Sequence, residues 1–97
     1  MIVRITWTEP AARALESIQD YIARDNRHAA WEVAQRIRHA VSQLEEHPQL
    51  GRAGRVRGTL ELVIPGLPYI VPYRIKGKEA QILSVFHAAR KWPEEFK

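Results

Sequence analysis

The most constraining feature of this sequence is a pair of adjacent segments with the apolar spacing of helices. Three segments with the residue pattern of β-strands follow them, so few folds are compatible with the chain. Each helical segment carries one apolar stripe, formed by Ala11, Leu15, Ile18 and Ile22 in the first and by Ala30, Ala34, Ile37, Val41 and Leu44 in the second. A stripe of this kind buries one face of a helix and leaves the other face in water. The pair therefore predicts an antiparallel helical hairpin that packs on another layer.

Capping residues predict where the helices begin and end. Thr8 precedes the first helix and Asn26 precedes the second, and each side chain can accept from the first free N–H groups of its helix. The second helix should run to about Glu46. His47 and Pro48 stop it, because proline disfavours helical geometry in the residue before it.

Alternation of apolar and polar residues predicts one strand before the hairpin and three after it, over residues 2–7, 59–64, 69–75 and 80–86. Pro72 lacks a backbone N–H, so we expect a bulge or a missing ladder bond in the third strand. The last strand is apolar enough to be buried on both faces. Residues 49–58, rich in glycine and arginine, are predicted to be a loop.

This order of elements predicts an α+β fold with the sequence β-α-α-β-β-β. The helical hairpin packs on one face of a mainly antiparallel four-stranded sheet, and the other face stays partly open. A length of 97 residues suits a single domain over residues 1–97. An open sheet face in so small a chain is the natural place for a functional site.

The charge is unevenly distributed along the chain. Residues 1–50 contain six Arg and seven Asp or Glu, whereas residues 51–97 contain nine Lys or Arg and four Glu. Such asymmetry indicates either an anionic partner or a solubilising surface. The chain has no cysteine, no apolar run long enough to span a membrane and no secretory signal pattern, so we expect a cytoplasmic protein without membrane contact.

The candidate site residues cluster at the end of the last strand and in the predicted loop rich in glycine and arginine. His87 can transfer a proton near neutral pH while Arg90 holds a phosphate, which makes these two the candidate catalytic pair. Alternatively, His87 bonds to the backbone or to Tyr73 and only fixes the tail. The candidate residues for binding a target or a nucleic acid are Arg52, Arg55, Arg57, Arg74, Lys91 and Trp92. Arg74 should lie on the open face of the sheet.

No cofactor or metal is expected. His28 and His39 would lie about 16 Å apart along one helix, too far to share an ion. The glycine-rich phosphate loops of nucleotide-binding proteins and the serine elbow of hydrolases are also missing.

Several motifs, in this order and spacing, resemble the RelE/ParE family of bacterial toxins: W-T-E-P-A-A-R-A-L-E-S-I-Q-D-Y-I-A, A-A-W-E-V-A-Q-R-I, L-E-E-H-P-Q-L-G-R, G-T-L-E-L-V-I, P-Y-I-V-P-Y-R-I and I-L-S-V-F-H-A-A-R-K-W-P. The resemblance implies a toxin of a type II toxin-antitoxin system with the fold predicted above. It also implies a cognate antitoxin as partner, in a heterotetramer or larger complex.

Two functions follow from this resemblance. RelE-like toxins are endoribonucleases that cleave mRNA on the ribosome, and ParE-like toxins inhibit DNA gyrase. Ile70 and Ala88 stand where the nucleases are expected to have catalytic arginines, and the second strand offers only Glu61 where they have lysines. The resemblance therefore favours the ParE branch, with no catalysis by the toxin, while His87 keeps a nuclease open as the alternative.

Overall fold

The computed structural model describes residues 2–89, which form two helices and a sheet. The elements are β1 (Arg4–Trp7), α1 (Glu9–Ala23), α2 (Arg27–Ser42), a 3-10 turn (Gln43–Glu45), β2 (Arg52–Ala53), β3 (Leu60–Val63), β4 (Tyr69–Lys76), β5 (Glu79–Ile82) and β6 (Phe86–His87). The predicted α+β class is confirmed. Neither helix of this region is long and apolar enough to cross a membrane.

The helices begin at the predicted caps. The Thr8 hydroxyl accepts from the N–H of Ala11, and the Asn26 side chain accepts from the N–H of Ala29. Both contacts satisfy a donor that a helix leaves free at its first turn. The second helix ends at Ser42, and its 3-10 extension carries helical geometry to Glu45, close to the predicted end.

The sheet has the order β1-β5-β4-β3-β2 within the described residues, and β6 continues beside β4. β1 runs parallel to β5, and every other pairing is antiparallel. The four predicted strands are present. The prediction of a plain loop over residues 49–58 was wrong at one point, because Arg52 and Ala53 pair with Glu61 and Leu60 as the edge strand β2.

Pro72 interrupts the ladder as predicted, and the last predicted strand is split in two as a result. Tyr73 pairs with Ile82 and Ile70 pairs with Phe86, so three residues of the last strand lie opposite two of β4. The Pro72 carbonyl accepts from the Leu83 N–H at 2.9 Å. The Pro72 nitrogen, which has no hydrogen to donate, therefore lies on the same side of β4 and also faces this bulge. Because the last strand has one extra residue at this point, each side chain after the bulge lies on the opposite face of the sheet from the one it would occupy without it.

The main core lies between the helical hairpin and one face of the sheet. Its buried members are Ala11, Leu15, Ala34, Ile37, Ala40, Val41 and Leu44 from the helical segment and Leu62, Ile64, Val71, Tyr73, Ile82 and Val85 from the sheet side. The helical residues follow the predicted stripes. We call this the helix face of the sheet, and the opposite one the loop face.

The loop face is less open than the sequence suggested. Ile70 and Phe86 form a second buried cluster there, and Val56 from the loop packs against them. Pro72 is also fully buried. The chain after β2 therefore folds back over one half of this face, and the half near β1 and β5 remains exposed.

Tyr73 connects the core to this loop, and its hydroxyl should contribute measurably to stability. The side chain is fully buried, its hydroxyl donates to the Pro48 carbonyl at 2.8 Å, and it accepts from the Gly51 N–H at 2.8 Å. Tyr73→Phe would leave two backbone groups without their partner, so we expect it to lower the free energy of unfolding by about 1–2 kcal/mol in urea titrations. Tyr21→Phe, at a side chain that is 67% exposed, is the matched control and should change little.

This contribution should also depend on pH. Burial raises the pKa of the Tyr73 phenol above its ordinary value of 10.0, and the hydrogen bond from Gly51 partly opposes that rise. The unfolded chain therefore ionises the phenol first, so the stabilisation is complete below pH 10.0 and is lost as the pH rises through the folded pKa. The stability difference between the wild type and Tyr73→Phe should narrow in that range. A constant difference would contradict the assignment.

Candidate functional site

The arginine loop, residues 51–59, is held by backbone contacts at both of its ends. The Gly51 N–H is fixed by Tyr73, and the Gly54 N–H donates to the Thr59 carbonyl at 2.9 Å. Thr59 in turn donates to the Val56 carbonyl through its hydroxyl, at 2.6 Å, and through its N–H, at 3.1 Å. These bonds make the loop a compact turn rather than an extended linker.

A buried carboxylate lies beneath the loop. Glu61 is only 1% exposed, and its Oε2 accepts from the Arg55 backbone N–H at 2.9 Å. The Arg52 Nη2 lies 3.4 Å from Oε1, and the Arg55 Nε lies 3.8 Å from Oε2. Both guanidinium groups are still half exposed at their outer sides. Glu61 thus holds two of the three predicted arginines at the protein surface.

The Arg55 side chain also contacts an aromatic ring. The Arg55 guanidinium lies over the Phe86 ring, 5.4 Å from its centroid, a distance at which a cation is attracted to an aromatic face. Arg57 occupies the exposed turn just before Gly58, which has the left-handed φ of 83° that the turn requires. The structure therefore brings Arg52 and Arg55 together beside Glu61, while Arg57 lies in the exposed turn of the same loop.

Arg74 lies on the loop face of the sheet, as predicted, at its exposed half. Its Nε donates to the Gln81 side chain at 2.6 Å, and Gln81 donates to Glu79 at 2.6 Å. Glu79 also accepts from Thr6 at 2.9 Å and from Arg4 at 3.2 Å. These three hydrogen bonds, that from Gln81 first, lower the pKa of the Glu79 carboxyl below its ordinary value. The result is a polar, cationic surface across β1, β5 and β4.

His87 lies on the helix face, away from the arginines. It pairs with Tyr69, and the two rings meet edge to face with centroids 5.8 Å apart. Its Nδ1 accepts from the Ala89 N–H at 3.2 Å, so of the two partners suggested by the sequence, the backbone and Tyr73, it contacts the backbone. His87 lines a groove of about 590 Å³ together with Tyr21 and Arg24 of the α1 segment.

The remaining predicted site residues lie outside the described part of the chain. They are Arg90, proposed as the catalytic partner of His87, and Lys91 and Trp92, proposed to bind a target.

Glu61 is a site residue that was not predicted from the sequence, where it stands out only as the absence of a lysine on the second strand. Strand alternation places this residue on the face opposite to Leu62, the face that was expected to be open. A usable signal was nevertheless present, since Glu61 is the only acidic residue between Glu46 and Glu79. An isolated carboxylate near three arginines is a strong candidate for pairing with them.

The model of the ParE toxin family of type II toxin-antitoxin systems matches residues 5–92. The chain belongs to this family. It is 47% identical over 91 residues to a Sinorhizobium fredii protein named "Putative toxin Y4kP", covering 94% of each chain. It is also 32% identical over 89 residues to Caulobacter vibrioides "Toxin RelE2", covering 92% of this chain and 99% of that protein.

Solved structures give the same result for this ParE-family toxin. A chain of the chromosomal ParDE toxin-antitoxin system of P. aeruginosa superposes with a TM-score of 0.80 at 31% identity, over 89% of this chain and 96% of that one. A chain of the RelBE2 toxin-antitoxin complex of Mycobacterium tuberculosis has a TM-score of 0.61 at 22% identity, over 90% and 99%. The second match shows the shared fold only. The predicted family and its fold are confirmed.

The close approach at Gly51 gives a direct test of how tightly the loop is held. A Cβ built at Gly51 would lie 2.8 Å from the Glu61 carbonyl and 2.8 Å from the Tyr73 hydroxyl. Gly51→Ala must therefore shift the start of the loop, and we expect it to lower the free energy of unfolding by roughly 1–3 kcal/mol in urea titrations.

Gly58→Asn is the matched control for that variant. No atom lies within 4 Å of a Cβ at Gly58, and asparagine is among the residues that a left-handed backbone strains least, so this variant should lose clearly less stability than Gly51→Ala. If the two variants were equally stable, the loop would not be clamped at Gly51.

Proposed function

We propose that this toxin arrests growth by binding DNA gyrase or a related replication target in the cytoplasm, without catalysing a reaction itself, and that a cognate antitoxin neutralises it. The supporting observation is the separation of the candidate chemical groups. Among residues 2–89, the acid-base candidate, His87, lies on the helix face, whereas Arg52 and Arg55 lie on the loop face. Arg90, the predicted catalytic partner of His87, lies outside these residues. General acid-base catalysis requires these groups within hydrogen-bonding reach of one substrate.

The side chain of Ile70 supports the same proposal. It occupies the position at which the resemblance to nucleases would place a catalytic arginine, and it is 3% exposed. It packs against Phe86 in the second buried cluster. A substrate would therefore meet a closed apolar surface at this position.

The proposed target-binding surface consists of the arginine loop together with Arg74. Half-exposed guanidinium groups on a fixed backbone suit carboxylates of a protein partner, because a planar fork recognises an anionic group with little loss of side-chain freedom. Lys91 and Trp92 remain predicted target-binding residues outside the described part of the chain.

The proposal of an antitoxin partner is supported by family membership and by the match to a chain of a ParDE toxin-antitoxin system at 31% identity. We propose a heterotetramer or larger complex as the stored form of the toxin. The groove beside His87, between α1 and the end of the sheet, is large enough for side chains of such a partner.

The choice between gyrase inhibition and mRNA cleavage can be tested directly. The chain is expressed from a tightly repressed promoter without an antitoxin, and transcript 5′ ends, DNA breaks and cell filamentation are followed together. We expect intact transcripts, filamentation and induction of the DNA-damage response. The purified toxin should also inhibit supercoiling of plasmid DNA by gyrase. Rapid transcript cleavage at codon boundaries would instead establish the nuclease.

His87→Ala gives the matched mechanistic test. Because we assign His87 no catalytic step, the variant should still arrest growth, as should His39→Ala on the exposed surface of α2. Loss of arrest in the first variant alone, with its fold retained, would show that the His87 imidazole is required for toxicity.

Arg57 is the arginine at the exposed turn of the loop, so its substitution isolates recognition from stability. Arg57→Gln should leave the thermal midpoint unchanged and weaken binding to the target about tenfold, the value of one charge-assisted contact. Arg13→Gln on α1 removes an exposed arginine that is paired with Glu9, and it should bind normally. Equal binding by both variants would contradict the role of the loop.

A further inference from the structure

We infer that Glu61 is a positioning residue, which orients Arg52 and Arg55 for target binding and is not itself in contact with the target. This inference rests on the proposed function in one respect, namely that the arginine loop contacts the target. Its physical basis, the order that Glu61 imposes on two guanidinium groups, belongs to the free protein.

The geometry of Glu61 is that of an internal anchor. The carboxylate is 1% exposed, so a target cannot reach it while the loop is in place. Each oxygen is used: Oε1 faces Arg52, and Oε2 accepts the Arg55 N–H and faces the Arg55 guanidinium. A buried charge of this kind is tolerated only when it is paired and hydrogen-bonded, which makes these contacts obligatory for the loop.

The strand that carries Glu61 gives the anchor a fixed position. β3 lies between β2 and β4, with Glu61 paired to Arg52 on one side and to Pro72 on the other. Arg55 lies in a different part of the loop, six residues before Glu61 in the sequence. One carboxylate on an inner strand thus fixes two guanidinium groups that belong to separate turns of backbone.

This order favours binding because it is present before the target arrives. Holding a long side chain in a single arrangement at an interface costs conformational entropy, and a pre-ordered side chain avoids that cost. The anchor also carries a negative charge, so its removal would make the loop more cationic. The two effects oppose each other, and their relative size can be measured.

The test uses Glu61→Gln in the full chain, with Glu9→Gln as the matched control. Glutamine keeps the size of the side chain and an acceptor for the Arg55 N–H but removes the charge that holds the guanidinium groups. Glu9 is also paired with an arginine, but on the exposed surface of α1. Nε–Hε signals of the arginines are recorded by NMR, and growth arrest is measured as the inducer level that halves growth at equal protein abundance.

We expect Glu61→Gln to broaden or average the Arg52 and Arg55 side-chain signals and to raise the inducer level for arrest about fivefold or more. In an Arg52→Gln, Arg55→Gln background, adding Glu61→Gln should have a clearly smaller effect, since the residue acts through these two arginines. If Glu61→Gln does not fold, Glu61→Asp retains the charge, shortens the reach by one methylene, and should show the same loss of arginine order.

Three results would overturn the inference. Unchanged arginine signals would show that Glu61 does not order the side chains. Stronger arrest would show that its charge restrains binding instead, and a full additional loss in the background that lacks both arginines would show that it acts by another route. The NMR measurement involves no target, so failure of the gyrase proposal with loss of arginine order would leave the anchoring role intact.

Discussion

The missing N–H of Pro72 is the constraint on which the arrangement of the site depends. Because proline cannot donate to the neighbouring strand, the last strand accommodates an extra residue opposite it and separates into β5 and β6. An uninterrupted register would pair Tyr69 with Phe86 and place His87 one position further, on the loop face. The bulge instead places Phe86 beneath Arg55 and His87 beside Tyr69. The bulge opposite Pro72 therefore sets the face of the sheet on which the Phe86 and His87 side chains lie.

The two faces of the sheet consequently have different roles. The helix face holds the main core, and the loop face combines a small apolar cluster with buried Glu61 and the cations above it. Arginine in this setting has two contributions, since the planar face of Arg55 covers the Phe86 ring while its guanidinium also faces the Glu61 carboxylate. The chain is a ParE-family toxin, and the location of these cations is one basis of our proposal that it acts by binding.

Tyr73 and Glu61 connect the main core to the arginine loop. The Tyr73 side chain belongs to the main core, and its hydroxyl fixes the backbone at Gly51 and Pro48, where the chain turns towards the loop face. Glu61 then fixes the loop from below. Both groups are buried and polar, and both form hydrogen bonds to the backbone of residues 48–55. These bonds tie the loop to the packed core.

The sequence by itself determined the helices, their caps, the order of the strands and the family, because these depend on local periodicity and on residues adjacent in the chain. It also placed the interruption at Pro72. Only the tertiary structure decided the faces of His87 and Phe86, since a shift of one residue inverts every side chain beyond it and no local pattern reports the register. The pairing of Glu61 with Arg52 and Arg55 was likewise decided in three dimensions, because it depends on β2 turning back beside β3.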